Sequence, residues 1–325
     1  MSDPITKTPL IRQAWLRVLL FVLAWCLIAL LTAVPAILLL TGTSREDLLG
    51  NPIQTLSGLL AGDHFWVILL LEFVVSLISV GVFRLLIDRR GWLDLGWDFG
   101  NFMGEAMTGL FIGPALLGTC SIMLLLSGHL AWTDIVWDPS SLFLSLGWMI
   151  LIAFSEELVF RGYILGNLME SFSNKWIALA ISALLFAIYH VASPGFHTLA
   201  LVNLFLAGVL LGINYVYTKN LWFSLLLHLG WNFFEGPVLG FRVGGVVFPS
   251  LLQAEPKGDL FITGGDFGLE GSMPVTLLLV TAILVLAWAF ERKYGIAGKP
   301  ATNKPTVQPN DQAVQTKNAS PSPKA

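Results

Sequence analysis

Long apolar blocks alternate with short polar punctuation along this chain, and the blocks are too long for the helices of a soluble core. Eight of them approach or exceed the roughly 20 residues that a helix needs to cross a hydrocarbon layer. They lie at about 16–41, 65–87, 104–128, 139–166, 175–193, 198–217, 220–236 and 273–291. The seventh is short, and its "HLGWNFFEG" predicts an early stop or a broken helix. The pattern as a whole predicts an all-α fold, a polytopic membrane helix bundle of about eight transmembrane helices. The first block follows Lys7, Arg12 and Arg17 and outruns the roughly 7–15 apolar residues of a cleaved signal peptide, so it reads as a retained anchor. Asp138 and Pro139 supply an N-cap and a first-turn proline for the fourth helix.

Two stretches break the pattern. Residues 237–272 are rich in glycine and polar side chains and predict an external loop. Residues 297–325 have no apolar period and much Pro, Asn, Gln and Lys, the composition of a disordered cytoplasmic tail. The expected organisation is three membrane helices with their loops in 1–138, a four-helix core in 139–236, the loop, a last helix in 273–296, and the tail.

Composition sharpens the class. Of the 325 residues 55% are hydrophobic and 12% charged, about half the charge of a soluble domain. The net charge of −3 says less than its distribution. With the N-terminus inside, the cytoplasmic segments hold 15 of the 18 basic residues and the other side holds Arg45, Arg242 and Lys257. That asymmetry suits an even number of spans with both termini cytoplasmic, in an integral protein of the plasma (inner) membrane. The expected partners are the lipid bilayer and a membrane-associated peptide or protein, with no nucleic acid. Cys26 and Cys120, both inside apolar blocks, read as packing residues.

Against such apolar spans the polar exceptions stand out, because an ionisable side chain in a span is costly and faces a bundle interior or a wet cavity. The fourth helix carries Glu156, Glu157 and Arg161, the fifth His190, and the seventh His228 and Asn232. Glu157 and Arg161 are four apart in the favoured ion-pair order. Glu156, turned by about 100° from Glu157, is left available. His228 and Asn232, also four apart, share a face. A carboxylate, two imidazoles and an amide make a hydrolytic set: one group takes a proton from water, and others hold the developing oxyanion. The same Glu156, His190 and His228 are candidate ligands for zinc. The chain has no HExxH, so no obligatory metal is expected, and zinc stays open. Glu72, alone in "LLLEFVV", reads as structural, and His64, His129 and His197 read as interfacial. The rival reading is a non-catalytic immunity factor or transporter that uses the polar cluster for binding. A transporter should show related halves or paired interrupted helices, and neither is visible.

The ordered set "EELVFR", "FAIYH" and "HLGWN" resembles the EExxxR, FxxxH and HxxxN signatures of the CAAX-protease and bacteriocin-processing family, the Abi-type intramembrane proteases. The resemblance covers about residues 141–236, and the glycine-bearing "NLFLAGVLLGINY" lies where that family has a further weak motif. It implies an eight-span fold and peptide-bond hydrolysis inside the membrane. It implies that Glu156 and His190 activate water, that His228 and Asn232 support the oxyanion, and that Glu157 and Arg161 orient the site or meet substrate. Family members act on prenylated CAAX proteins or are linked with bacteriocin maturation and self-immunity, so the resemblance names no single substrate.

Overall fold

Inside hydrocarbon a backbone must satisfy its own polar groups, and for apolar blocks of this length only a helix does so. The computed structural model describes residues 8–295, positions 43, 61, 63 and 64 excepted. The tail at 297–325 and His64 lie outside the described residues. The order is α1 (Ala14–Thr41), α2 (Arg45–Gly50), α3 (Pro52–Leu60), α4 (Phe65–Val82), α5 (Met103–Leu126), β1 (Leu130–Ile135), α6 (Pro139–Glu157), α7 (Gly166–Ser171) and α8 (Lys175–Tyr189). Then come α9 (Thr198–Gly212), α10 (Tyr215–Thr218), α11 (Trp222–Phe233), β2 (Leu252–Pro256), α12 (Leu260–Thr263) and α13 (Met273–Phe290). Wide π-type turns continue α4 through Phe83–Ile87, α6 through Leu158–Leu165 and α11 through Phe234–Val238.

Seven helical stretches among the described residues are long and apolar enough to cross a membrane: Ala14–Leu39, Phe65–Ile87, Trp92–Leu126, Pro139–Ser171, Lys175–Ala192, Thr198–Thr218 and Met273–Gly295. The protein is a polytopic membrane helix bundle. The seventh predicted span, 220–236, is short and stops early, as its "HLGWNFFEG" implied, which leaves seven long apolar helices where eight spans were expected. It forms α11, whose 12 residues reach only about 18 Å before the π-type turn that holds Gly236 and Pro237. Proline has no N–H to give the ladder, so the regular helix stops within the bundle.

Contact between helix backbones fixes the depth and rotation of α11. A Cβ on Gly113 of α5 would stand 2.8 Å from the Trp231 backbone nitrogen, and one on Gly230 of α11 would stand 2.5 Å from the Leu110 carbonyl oxygen. Only glycine permits such closeness, and close approach of this kind is how helices associate where lipid removes the hydrophobic drive. On the opposite side of the core every residue from Leu158 to Leu165 is buried. There Tyr163 packs on Phe21 of α1, ring centroids 4.2 Å apart.

A buried ionic knot ties the start of α1 to the ends of α4 and α7. Asp88, fully buried, accepts from Arg17 at 3.0 Å and from Arg84 at 3.2 Å, and the Tyr163 hydroxyl and Asn167 amide also donate to it. Arg17 continues to Glu170 at 2.7 Å, where Arg90 also binds. Arg17 is therefore a core residue as well as a flanking charge. The 237–272 segment is ordered and docked. Its β2 pairs antiparallel with β1, Trp132 opposite Ala254. The Trp132 indole N–H donates to the Leu239 carbonyl at 3.0 Å, and Phe267 and Leu269 are fully buried.

Candidate active site

The fourth span is anchored at its start and widened where its charges lie. Asp138 accepts from the backbone N–H groups of Ser140 and Ser141, with Pro139 in the first turn. Hydrogen bonds from Ser140 and Ser141 pull its carboxyl down to about 2. The regular helix ends at Glu157 and the π-type turns carry Arg161. Such widened turns recur at functional sites because they rotate side chains off the 3.6-residue pattern.

Glu157 and Arg161 form the support. Arg161 Nη1 donates to Glu157 Oε1 at 2.8 Å, and its Nη2 donates to the Gly208 carbonyl on α9 at 3.2 Å. The guanidinium also lies 4.5 Å from the centroid of the Phe186 ring, a favourable cation–π contact. Gly208 belongs to the sixth-span glycine motif. A Cβ there would stand 2.8 Å from Ala183 Cα of α8, so the glycine lets α8 and α9 touch and keeps its carbonyl within reach of Arg161. Glu157 Oε1 accepts a second bond, from His228 Nδ1 at 2.8 Å. That bond was absent from the sequence reading, which gave Glu157 to Arg161 alone. Arg161 is 1% exposed, and neither it nor Glu157 lines the cavity.

Glu156 projects elsewhere. It is 6% exposed, and its Oε2 has no hydrogen-bond partner among the described residues. Two imidazoles face that oxygen, His190 Nε2 at 3.8 Å and His228 Nε2 at 3.9 Å. Each ring is held by its other nitrogen. His190 Nδ1 donates to the Phe186 carbonyl at 2.9 Å and His228 Nδ1 to Glu157. Both acceptors lack a proton to give, so each Nε2 is left to the cavity, an arrangement in which the outer partner fixes the tautomer. Asn232, buried one turn after His228, lines the same space.

The cavity has a volume of about 550 Å³ and is walled mostly by apolar side chains of α1, α4, α8, α9 and α11. Its polar lining includes Glu156, His190, His228 and Asn232, four residues that the sequence placed on three separate spans. It also includes Glu72 of α4, which the sequence reading set aside as structural, and Glu270, which that reading did not single out. The Tyr189 hydroxyl reaches the Glu72 carboxyl. Glu235, fully buried, was also missed: its Oε2 accepts from the Trp231 indole at 3.0 Å and its Oε1 from the Glu270 backbone N–H at 3.4 Å. One signal could have found Glu235, since positions 228, 232 and 235 fall on one helix face. His129 is half-buried and bonds Ser127, and His197 precedes α9; neither lines the cavity.

Residues 138–234 match the family model described as type II CAAX prenyl endopeptidase Rce1-like. This segment, under a third of the chain, is similar to that family. It contains Glu156, Glu157, Arg161, His190, His228 and Asn232, and leaves Glu72 and Glu270 outside. A curated relative, UPF0177 protein YxdF of Lactococcus lactis subsp. lactis (strain IL1403), is 38% identical over 92 residues. The match covers 28% of this chain and 46% of that relative, so the chain spans about half the length of the curated relative it matches. No solved structure matches. The matched segment thus supplies α6, α8, α9 and α11 to the cavity wall, while α1, α4 and the 237–272 segment contribute to it from outside the match.

Proposed function

We propose that the protein is an intramembrane endopeptidase that cleaves a membrane-associated peptide or protein. One observation carries the reading: Glu156 Oε2 and the free Nε2 atoms of His190 and His228 converge at 3.8 and 3.9 Å, a gap suited to one water. In this mechanism Glu156 takes a proton from that water while His190 Nε2 orients it. The oxygen adds to the scissile carbonyl carbon, and the carbonyl oxygen becomes negative. Asn232 donates to that oxygen, and His228 joins it when its Nε2 carries a proton. The C–N bond then breaks, and the proton held by Glu156 passes to the leaving nitrogen. Glu157 and Arg161 act by holding His228, since both lie off the cavity. The family description matched by residues 138–234 supports proteolysis, and a CAAX-type substrate is one case of it.

The water is activated without an obligatory metal in this reading. Tetrahedral zinc with bonds of about 2.0–2.1 Å sets neighbouring ligand atoms about 3.3 Å apart. The wider spacings at Glu156 suit hydrogen bonds to a bridging water. Reconstitution in vesicles with membrane-bound peptides tests both points. Cleavage is expected, and it should persist in protein stripped of zinc by chelators. Stoichiometric zinc in the active protein, with activity lost on chelation and restored by zinc, would overturn the metal-free mechanism.

We also place both termini in the cytoplasm, on the strength of the basic-residue asymmetry. This requires α11 with its π-type turn to count as a crossing, short as it is. Reporter fusions at Gly265 and after the last residue should report opposite sides of the membrane. Fusions that report the same side would refute the arrangement.

A further inference from the structure

Three carboxylates face one largely apolar chamber, and among the described residues no lysine or arginine lines it. Glu156 comes from α6, Glu72 from α4 and Glu270 from the docked 237–272 segment. Glu72 and Glu270 both lie within electrostatic range of Glu156. The single buried arginine nearby, Arg161, is consumed by Glu157, the Gly208 carbonyl and the Phe186 ring, and stays off the cavity wall. Like charges gathered in an apolar space repel, and either a proton or a nearby cation relieves them.

The outer carboxylate is held in place by its backbone. The Glu270 N–H donates to Glu235 Oε1, and its carbonyl accepts from Asn203 Nδ2 at 2.7 Å. Asn203 Nδ2 also donates to the Ser272 carbonyl at 2.8 Å, and its Oδ1 accepts from the Thr276 hydroxyl at 2.6 Å. Helices α9, α11 and α13 therefore all contribute to holding Glu270 against the cavity. Burial pushes the Glu270 carboxyl up to about 7, so near neutral pH a cation seated beside it would hold it ionised. The second pointer is Glu156 itself, a buried carboxylate whose Oε2 faces the cavity without a partner among the described residues.

We propose that Glu72 and Glu270 flank the catalytic carboxylate as a cation-recognising subsite, which selects an otherwise apolar peptide carrying a lysine or arginine side chain near the bond to be cut. The inference rests on the protease reading for its consequence, while recognition can be read without turnover. An apolar wall accepts the flanking residues and the aliphatic stem of the basic side chain, and its charged end meets Glu72 or Glu270. A substrate presenting a carboxylate at the same place meets repulsion from all three acids.

The test uses the full chain in vesicles and two fluorescent decapeptides of Leu, Ala and Val, one with a central Lys and one with norleucine there. Binding is measured by anisotropy and cleavage by product release. The parent should bind the Lys peptide roughly tenfold or more tightly, as expected for a charge-assisted contact out of water. Glu72→Gln and Glu270→Gln should each reduce that ratio severalfold, and the double variant should abolish it. Glu255→Gln, exposed on β2, should keep the parent ratio. Should Glu72→Gln fail to fold, Glu270→Gln carries the same comparison from outside the spans. Equal binding of the two peptides by the parent, or a ratio unchanged in both variants, would overturn the subsite. A preserved binding preference without cleavage supports the subsite and sinks the protease reading.

Discussion

Glu156→Gln is expected to yield a folded protein that binds membrane peptide and barely cleaves it. The amide keeps the shape of the side chain but cannot take the proton of water. General acid–base assistance contributes roughly 10²–10⁴-fold, and the loss of turnover should fall in that range or beyond. Folding should survive, because Oε2 has no hydrogen-bond partner to lose among the described residues. Single-turnover assays beside peptide-binding measurements check this. Asn232→Ala, which removes one oxyanion donor, should cost about 10²–10³-fold in rate with little change in affinity. A non-catalytic binding protein predicts the reverse pattern: no cleavage by the parent and weaker binding in the variants. Cleavage within a few-fold of the parent in both variants would put the active site elsewhere.

Glu157→Gln should act on folding. The substitution removes the carboxylate hydrogen-bonded to Arg161, which is 1% exposed, and weakens the anchor of His228. Breaking one partner of a buried ion pair costs about 3–5 kcal/mol, since the remaining charge stays desolvated. The Gly208 carbonyl and Phe186 ring retain some hold on the guanidinium, so a loss toward the lower end of that range is expected. Thermal unfolding and yield of folded protein should rank parent and Glu156→Gln together, with Glu157→Gln clearly below them. Equal stability of the two glutamine variants, or the opposite order, would contradict the separation of roles between adjacent glutamates.

That separation was legible in the sequence because it follows from helix geometry alone. Neighbouring helical residues point about 100° apart, and residues four apart meet. The Glu157–Arg161 pair and the Asp138 cap both stand as the spacing implied. The second bond of Glu157, to His228 some seventy positions away in sequence, was invisible for the opposite reason. It depends on how deeply α11 is set beside α6, which Gly113 and Gly230 decide by bringing α5 and α11 into backbone contact. Glu72 shows the same limit. A lone glutamate in a span signals a buried face but does not say which neighbour it faces.

Composition and period by themselves determined that this chain is a polytopic helical membrane protein and which side chains are too polar to lie idle in it. These are consequences of one-dimensional quantities, the length of apolar runs and the angular step of a helix. Only the tertiary structure decided where the short seventh predicted span ends, at Phe233, and how deep in the bundle it lies. It also decided that Arg17 belongs to a buried ionic knot around Asp88, and that the 237–272 segment folds back to bring Glu270 to the cavity. Such outcomes depend on which helices touch and at what depth. Close packing settles that between residues far apart in the chain, and lipid-facing and core-facing apolar residues look alike in sequence because the bilayer is as apolar as the core.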